Sequence, residues 1–133
     1  MFSGPAIRVD VAQRYAVSRR ICVTGSRNCH DYAHVTATLD ALHAANPIIR
    51  LAHGACRGAD ALCKAWAMAN GVEEKGYPYL SRFGAAGGPI RNRQMLEAER
   101  PDLLVWFPGN TGTNGCKAIA TSLGIPLWPP DEK

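Results

Sequence analysis

Residues 88–113 read GPIRNRQMLEAERPDLLVWFPGNTGT, and this stretch decides the fold. Leu103, Leu104, Val105, Trp106 and Phe107 follow one another without a polar interruption. A continuous apolar run of that length suits a strand at 102–107 covered on both faces, as in a parallel sheet. Directly after it comes Pro108-Gly109-Asn110-Thr111-Gly112-Thr113, with two glycines and two threonines ahead of a helical pattern at 113–123. Such a junction offers backbone N–H groups and the positive end of a helix dipole to an anion. Upstream, Arg91 and Arg93 can supply charge to the same anion. They stand at the start of a short helix, 89–99, where cations oppose the dipole unless an anion lies nearby.

Working outward, the first firm strand is RICVT at 20–24, followed by Gly25-Ser26-Arg27-Asn28. His30 or Asp31 then caps a helix with the stripe Tyr32, Val35, Leu39 and Leu42, which Asn46-Pro47 ends. A second strand at 48–53 runs into Gly54-Ala55-Cys56-Arg57-Gly58-Ala59-Asp60. The next helix carries Ala61, Leu62, Ala65, Trp66 and Ala69 and stops at Asn70-Gly71. Residues 72–78 form a third strand, placed near an edge because Glu73, Glu74 and Lys75 make it polar. A glycine-rich loop at 79–88 is expected to be mobile, and a last short strand occupies 125–128. Residues 1–19 are set apart as an N-terminal arm. Residues 20–133 form one domain.

Strands alternating with amphipathic helices over short turns predict an α/β, Rossmann-like three-layer sandwich with a mostly parallel sheet of about five strands. In such a sheet the ligand crevice lies beyond the carboxyl ends of the strands, near a switch in strand order. The loops at 25–28, 54–60 and 108–113 all follow a strand's carboxyl end. Their co-location points to a nucleotide-like ligand more strongly than any single loop does.

At 133 residues, 47% hydrophobic and 20% charged, the chain has the composition of a globular domain with a sizeable core. A net charge of +4 fits a small anionic ligand and is too weak and dispersed for a nucleic-acid partner. No apolar run approaches a membrane span or a signal-peptide core, so a cytoplasmic protein is expected. The five cysteines (Cys22, Cys29, Cys56, Cys63 and Cys116) show no CxxC spacing and read as buried or semi-buried free thiols. The histidines show no ligand spacing either, so neither a metal nor a cofactor is expected.

The segments VTGSRN (23–28), HGACRGAD (53–60), GPIRNRQM (88–95) and FPGNTGT (107–113) together resemble the SLOG superfamily of Rossmann-like proteins, and most closely its YspA/YpsA-related branch. The likeness runs from about Arg20 to Trp128. It implies a binder or processor of nucleotide-derived ligands. Two wider relatives are informative. LOG-type phosphoribohydrolases release a base from a nucleoside monophosphate with an arginine and a PGGxGTxxE motif. The DNA-processing protein A family, similar at RNR and at the GAD-plus-helix region, binds single-stranded DNA. This chain departs from the LOG motif in carrying Asn110 at the second glycine and Cys116 at the glutamate. A thiol is no substitute for a carboxylate that steadies an oxocarbenium-like centre.

The candidate ligand residues are therefore Gly25, Ser26, Arg27, Gly54, Gly58, Asp60, Arg91, Asn92, Arg93, Gly109, Thr111, Gly112 and Thr113. Asp60 is either a helix cap or a carboxylate facing the ribose. Asp60 and Glu97 are the candidate catalytic acids; Glu97 and Glu99 read as solvated helix residues, either of which could be a replacement acid. Cys56 beside Arg57 sits where a thiolate is favoured, with His53 close in sequence, but no oxyanion donor is assignable. Tyr77, Tyr79 and Phe83 are read as edge packing, with base stacking the alternative. The expected function is binding, sensing or processing of a nucleoside monophosphate or an ADP-ribose-type molecule. The alternatives are an N-glycosidic-bond hydrolase acting on nucleoside monophosphates and a single-stranded-DNA-binding protein. A homo-oligomer is expected.

Overall fold

The computed structural model describes residues 20–131. The arm assigned to residues 1–19 lies outside them. In chain order the elements are β1 (Arg20–Thr24), α1 (Tyr32–Ala45), β2 (Arg50–His53), α2 (Ala59–Ala69), β3 (Glu73–Gly76), a 3-10 segment (Ser81–Ala86), α3 (Gly87–Glu99), β4 (Leu103–Trp106), α4 (Thr111–Ser122) and β5 (Leu127–Trp128). The five strands form a single sheet in the order β3-β2-β1-β4-β5, and every pairing is parallel. This is the Rossmann-like three-layer arrangement.

Alternation along each central strand divides the core in two. Ile21 and Val23 of β1, Leu51 of β2, and Leu103 and Val105 of β4 face one way, onto Val35, Leu39 and Leu42 of α1 and Ala59, Cys63, Trp66 and Ala67 of α2. Cys22, Ala52 and Leu104 face the other way, onto Met95 and Leu96 of α3 and Cys116 and Ala120 of α4. Register enforces the split, because Cys22 lies between Ala52 and Leu104 in neighbouring strands. Polar β3 occupies an edge, as its charges require.

Two sequence readings of helix faces need correction. In α2 the buried residues are Ala59, Asp60, Cys63, Trp66 and Ala67. Ala61, Ala65 and Ala69 face solvent. Alanines on every side of that helix carry too little area to fix its face, and Trp66 and Cys63 decide it. Tyr32 is likewise 62% exposed rather than part of the α1 stripe. The cap reading does hold for α1, where Asp31 accepts from the His34 N–H at 3.0 Å. The 79–88 loop contains the 3-10 segment, and α3 starts at Gly87.

Strand order reverses at β1. The chain moves outward through β2 and β3, then crosses back to place β4 on the other side of β1. The loops leaving β1 and β4 therefore part in opposite directions, and this opens a crevice at their carboxyl ends.

Candidate functional site

The crevice is a cleft of about 490 Å³, within the range of small-molecule sites. Its walls come from the three loops singled out in the sequence and from the start of α3. Thr24, Gly25, Ser26, Arg27 and Asn28 line it after β1, and Cys56, Arg57 and Asp60 after β2. Asn110, Thr111, Gly112 and Thr113 contribute from the start of α4, and Gly88, Pro89, Arg91 and Asn92 from α3.

Close backbone packing fixes these loops against one another. Ser26 is the hub: its N–H donates to Pro108 O at 3.2 Å, and its carbonyl accepts from Ala59 N at 3.0 Å and Cys29 N at 3.2 Å. The Ser26 hydroxyl accepts from Asn28 N at 2.9 Å. Gly58, at φ +79°, sits so tightly on Ser26 and Arg27 that a β-carbon there would overlap their backbone. At Gly109 a β-carbon would overlap Thr113. Gly54, Gly58 and Gly109 thus shape the walls by their smallness and do not themselves line the cleft.

Arg91 is 8% exposed, and no carboxylate among the described residues lies within ion-pair distance of it. Two carbonyls hold it instead: Nη1 donates to Gly54 O at 2.6 Å and to Tyr77 O at 3.0 Å. Its Nε donates to Asn92 Oδ1 at 2.8 Å. Because a guanidinium N–H can only donate, that contact sets the Asn92 amide with Oδ1 occupied and Nδ2 available as a donor. Asp60 is 7% exposed, and its Oδ2 accepts from Gly54 N at 3.0 Å and Cys56 N at 3.4 Å. Asp60 therefore clamps the loop before α2 rather than capping that helix, whose N-cap is Gly58. Burial pushes its carboxyl above the usual value, outweighing the pull of His53, the Cys56 N–H, Arg91 and the Gly54 N–H.

The electrostatic balance of the cleft is positive, with Arg27, Arg57 and Arg91 set against Asp60 alone. Helices α2, α3 and α4 all begin at its edge, so three dipole ends add to the arginines. No side chain caps α4, whose N-cap is Asn110. This leaves its first N–H groups open to an anion.

Of the residues expected to meet a ligand, Gly25, Ser26, Arg27, Asp60, Arg91, Asn92, Thr111, Gly112 and Thr113 all line this cleft. Arg93 does not: it pairs with Glu97 at 3.2 Å on the exposed side of α3. That pairing also takes Glu97, a candidate acid, away from the cleft. Glu99 points into the protein, where it holds Arg50 at 2.7 Å. His53 gives Cys56 no base. Its Nδ1 accepts from Ala55 N at 3.0 Å, so the ring proton lies on Nε2 and goes to Glu74 at 2.7 Å. The Cys56 thiol donates to Gly54 O at 3.5 Å. Cys116, at the LOG glutamate position, is fully buried, and burial pushes its thiol to about 11. Sequence reasoning passed over Arg57 as a ligand contact, although it follows a strand's carboxyl end just as Arg27 does.

Fold and cleft together define a Rossmann-like α/β domain with an anion-attracting crevice at the sheet's switch point. A sequence profile of the YspA, cpYpsA-related SLOG family matches residues 11–79, a span that holds the first two cleft loops. The chain is also 34% identical over 120 residues to the gene 61 protein of Mycobacterium phage D29, an alignment covering 82% of this chain and 94% of that protein. The chain belongs to the YspA, cpYpsA-related SLOG family.

Proposed function

We propose that the protein binds a nucleotide or nucleotide-derived ligand, such as a nucleoside monophosphate or an ADP-ribose-type molecule, in the cleft at the carboxyl ends of β1, β2 and β4. Membership of the SLOG family is compatible with nucleotide-related binding or processing. The carrying observation is the meeting of three helix N-termini with Arg27, Arg57 and Arg91 around one cleft. In this reading the phosphate sits on the start of α4, at Thr111, Gly112 and Thr113, within reach of Arg91. The ribose lies toward Gly25, Ser26 and Asp60, where Asp60 Oδ1, which takes no hydrogen bond from the described residues, accepts from hydroxyls. Calorimetric titration with AMP and ADP-ribose tests the reading. Arg27→Ala and Arg57→Ala, both at exposed positions, are expected to weaken binding without unfolding the protein. Affinity indifferent to both substitutions and to Thr113→Val would remove the phosphate assignment.

A second reading, cleavage of an N-glycosidic bond, is favoured by one feature: Asp60 is a buried cleft carboxylate with a raised pKa. In that case incubation with AMP releases free base, and Asp60→Asn abolishes the release even at AMP concentrations that saturate the variant. AMP recovered intact after hours would leave binding alone.

A further inference from the structure

Among the described residues, one aromatic side chain lines the cleft, and it is Tyr79. The other candidates are engaged elsewhere. The Tyr77 hydroxyl bonds Glu99, and Phe83, 44% exposed, carries the Arg82 guanidinium 4.7 Å above its ring. Tyr79 is held from two directions. Its hydroxyl donates to Gly84 O at 2.6 Å, and its ring rests on the first residues of α3. A β-carbon on Gly87 would fall 2.9 Å from Tyr79 Cε1, and one on Gly88 would fall 3.3 Å from Cε2 and 3.8 Å from Cδ2. These distances put the Gly87–Gly88 peptide directly against the ring, leaving no room for a side chain on Gly87. Tyr79 is thus packed against two glycines and pinned at its hydroxyl, is 38% exposed, and lines the cleft, so it brings aromatic surface to whatever enters.

The cleft lining divides by chemistry. The loops after β1 and β2 and the start of α4 bring arginines, hydroxyls and helix N–H groups, whereas Tyr79, Ala85 and Pro89 bring an apolar wall. The Asn92 amide, with Nδ2 left to donate, and Asp60 line the same cleft. That division suits a ligand with a phosphate at one end and a planar aromatic group at the other. We infer that Tyr79 is the stacking platform for the base of the ligand, with the peptide at the start of α3 as its fixed backing. The inference rests on the nucleotide reading above and adds to it that the base is held by stacking, which tolerates every base.

The test compares AMP with ribose 5-phosphate, which lacks only the base, by calorimetric titration of the wild type, Tyr79→Phe and Tyr79→Leu. Stacking predicts that Tyr79→Leu weakens AMP binding by roughly 5- to 150-fold and leaves ribose 5-phosphate unchanged. Tyr79→Phe, which keeps the ring, stays near the wild type. In the wild-type protein the base protons of bound AMP move upfield under the ring current, a readout independent of any variant. Equal loss of both compounds in Tyr79→Leu, undiminished AMP binding in that variant, or unshifted base protons overturns the platform and leaves the phosphate site standing. A wild-type protein that binds neither compound overturns the nucleotide reading and the platform with it.

Discussion

Gly58 and Gly71 share a left-handed backbone, at φ +79° and +68°, but differ in their surroundings. Nothing lies within 4 Å of a β-carbon built on Gly71, whereas one on Gly58 overlaps the backbone of Ser26 and Arg27. Gly71→Ala should therefore cost only the left-handed penalty, about 1–2 kcal/mol. For Gly58→Ala the overlap adds roughly 1–3 kcal/mol more, because the β1 loop must move away from α2. Urea midpoints of the two variants check the difference, and equal midpoints would show that the loops are not locked. Local capping chemistry was legible at this scale: Asp31 could be proposed as the α1 cap from its own neighbourhood. The partners of Arg91 were not, since Gly54 O and Tyr77 O lie far away in sequence and only the fold brings them to it.

Helix α3 links the cleft to the far end of the sheet. Arg91 sits in the cleft, while Glu99, at the last turn of the same helix, ties it to the starts of β1 and β2. Glu99 accepts from Arg50 Nε at 2.7 Å and Nη2 at 3.0 Å, and from the Tyr77 hydroxyl at 2.5 Å, and its backbone carbonyl accepts from Arg20. Arg50 holds the Glu99 carboxyl below its usual value, despite the opposing cost of burial, and burial pushes Tyr77 up to about 12. Glu99→Ala removes the buried partner of Arg50, which keeps its pair with Glu73 at 3.1 Å, and leaves the Tyr77 hydroxyl unpaired; it should destabilise the protein by about 1–3 kcal/mol. A depressed carboxyl stabilises the fold fully above its unfolded pKa, and this contribution disappears as pH falls through the folded value. Asp60 has the opposite sign. Its raised pKa gives stability that is present below 3.8 and lost as pH rises through the folded value. Thermal unfolding from pH 3 to 7 should thus show Glu99→Ala losing the acid-side dependence, and Asp60→Asn more stable than the wild type at pH 7 but not at pH 3. This second result would mark Asp60 as a residue kept at a stability cost for a role in the cleft. The sequence reads both Glu97 and Glu99 as solvated, which holds for Glu97 and fails for Glu99, 5% exposed. Which of the two is buried depends on the helix's phase against the sheet, and α3 has no apolar stripe strong enough to reveal it.

At the scale of the whole molecule, the alternation of apolar strands and helices determined the three layers, and three loops after strand ends located the cleft. Physical reasons for that legibility are plain: buried parallel strands must be apolar on both faces, and the crevice follows from strand order. The alanine-rich face of α2 and the ring of Tyr79 were less legible, because both depend on packing between distant segments. The same architecture sorts the five cysteines. Cys22, Cys63 and Cys116 are buried in the two core layers, and Cys29 and Cys56 are partly exposed. Burial raises the thiols of Cys22, Cys63 and Cys116, the last to about 11, so at pH 8 they are both inaccessible and protonated. A disulfide-exchange reagent should therefore label Cys29 and Cys56 quickly in the native protein, and all five cysteines only after denaturation. Cys56 lines the cleft and Cys29 does not. A nucleotide seated there should slow labelling of Cys56 while leaving Cys29 unaffected, and peptide mapping by mass spectrometry separates the two. Early labelling of Cys116 would mean that the layer between α4 and the sheet opens in solution. Protection of both Cys29 and Cys56 would mean that AMP tightens the whole fold rather than covering the cleft. Protection confined to Cys56 places the nucleotide in the cleft without any substitution in it.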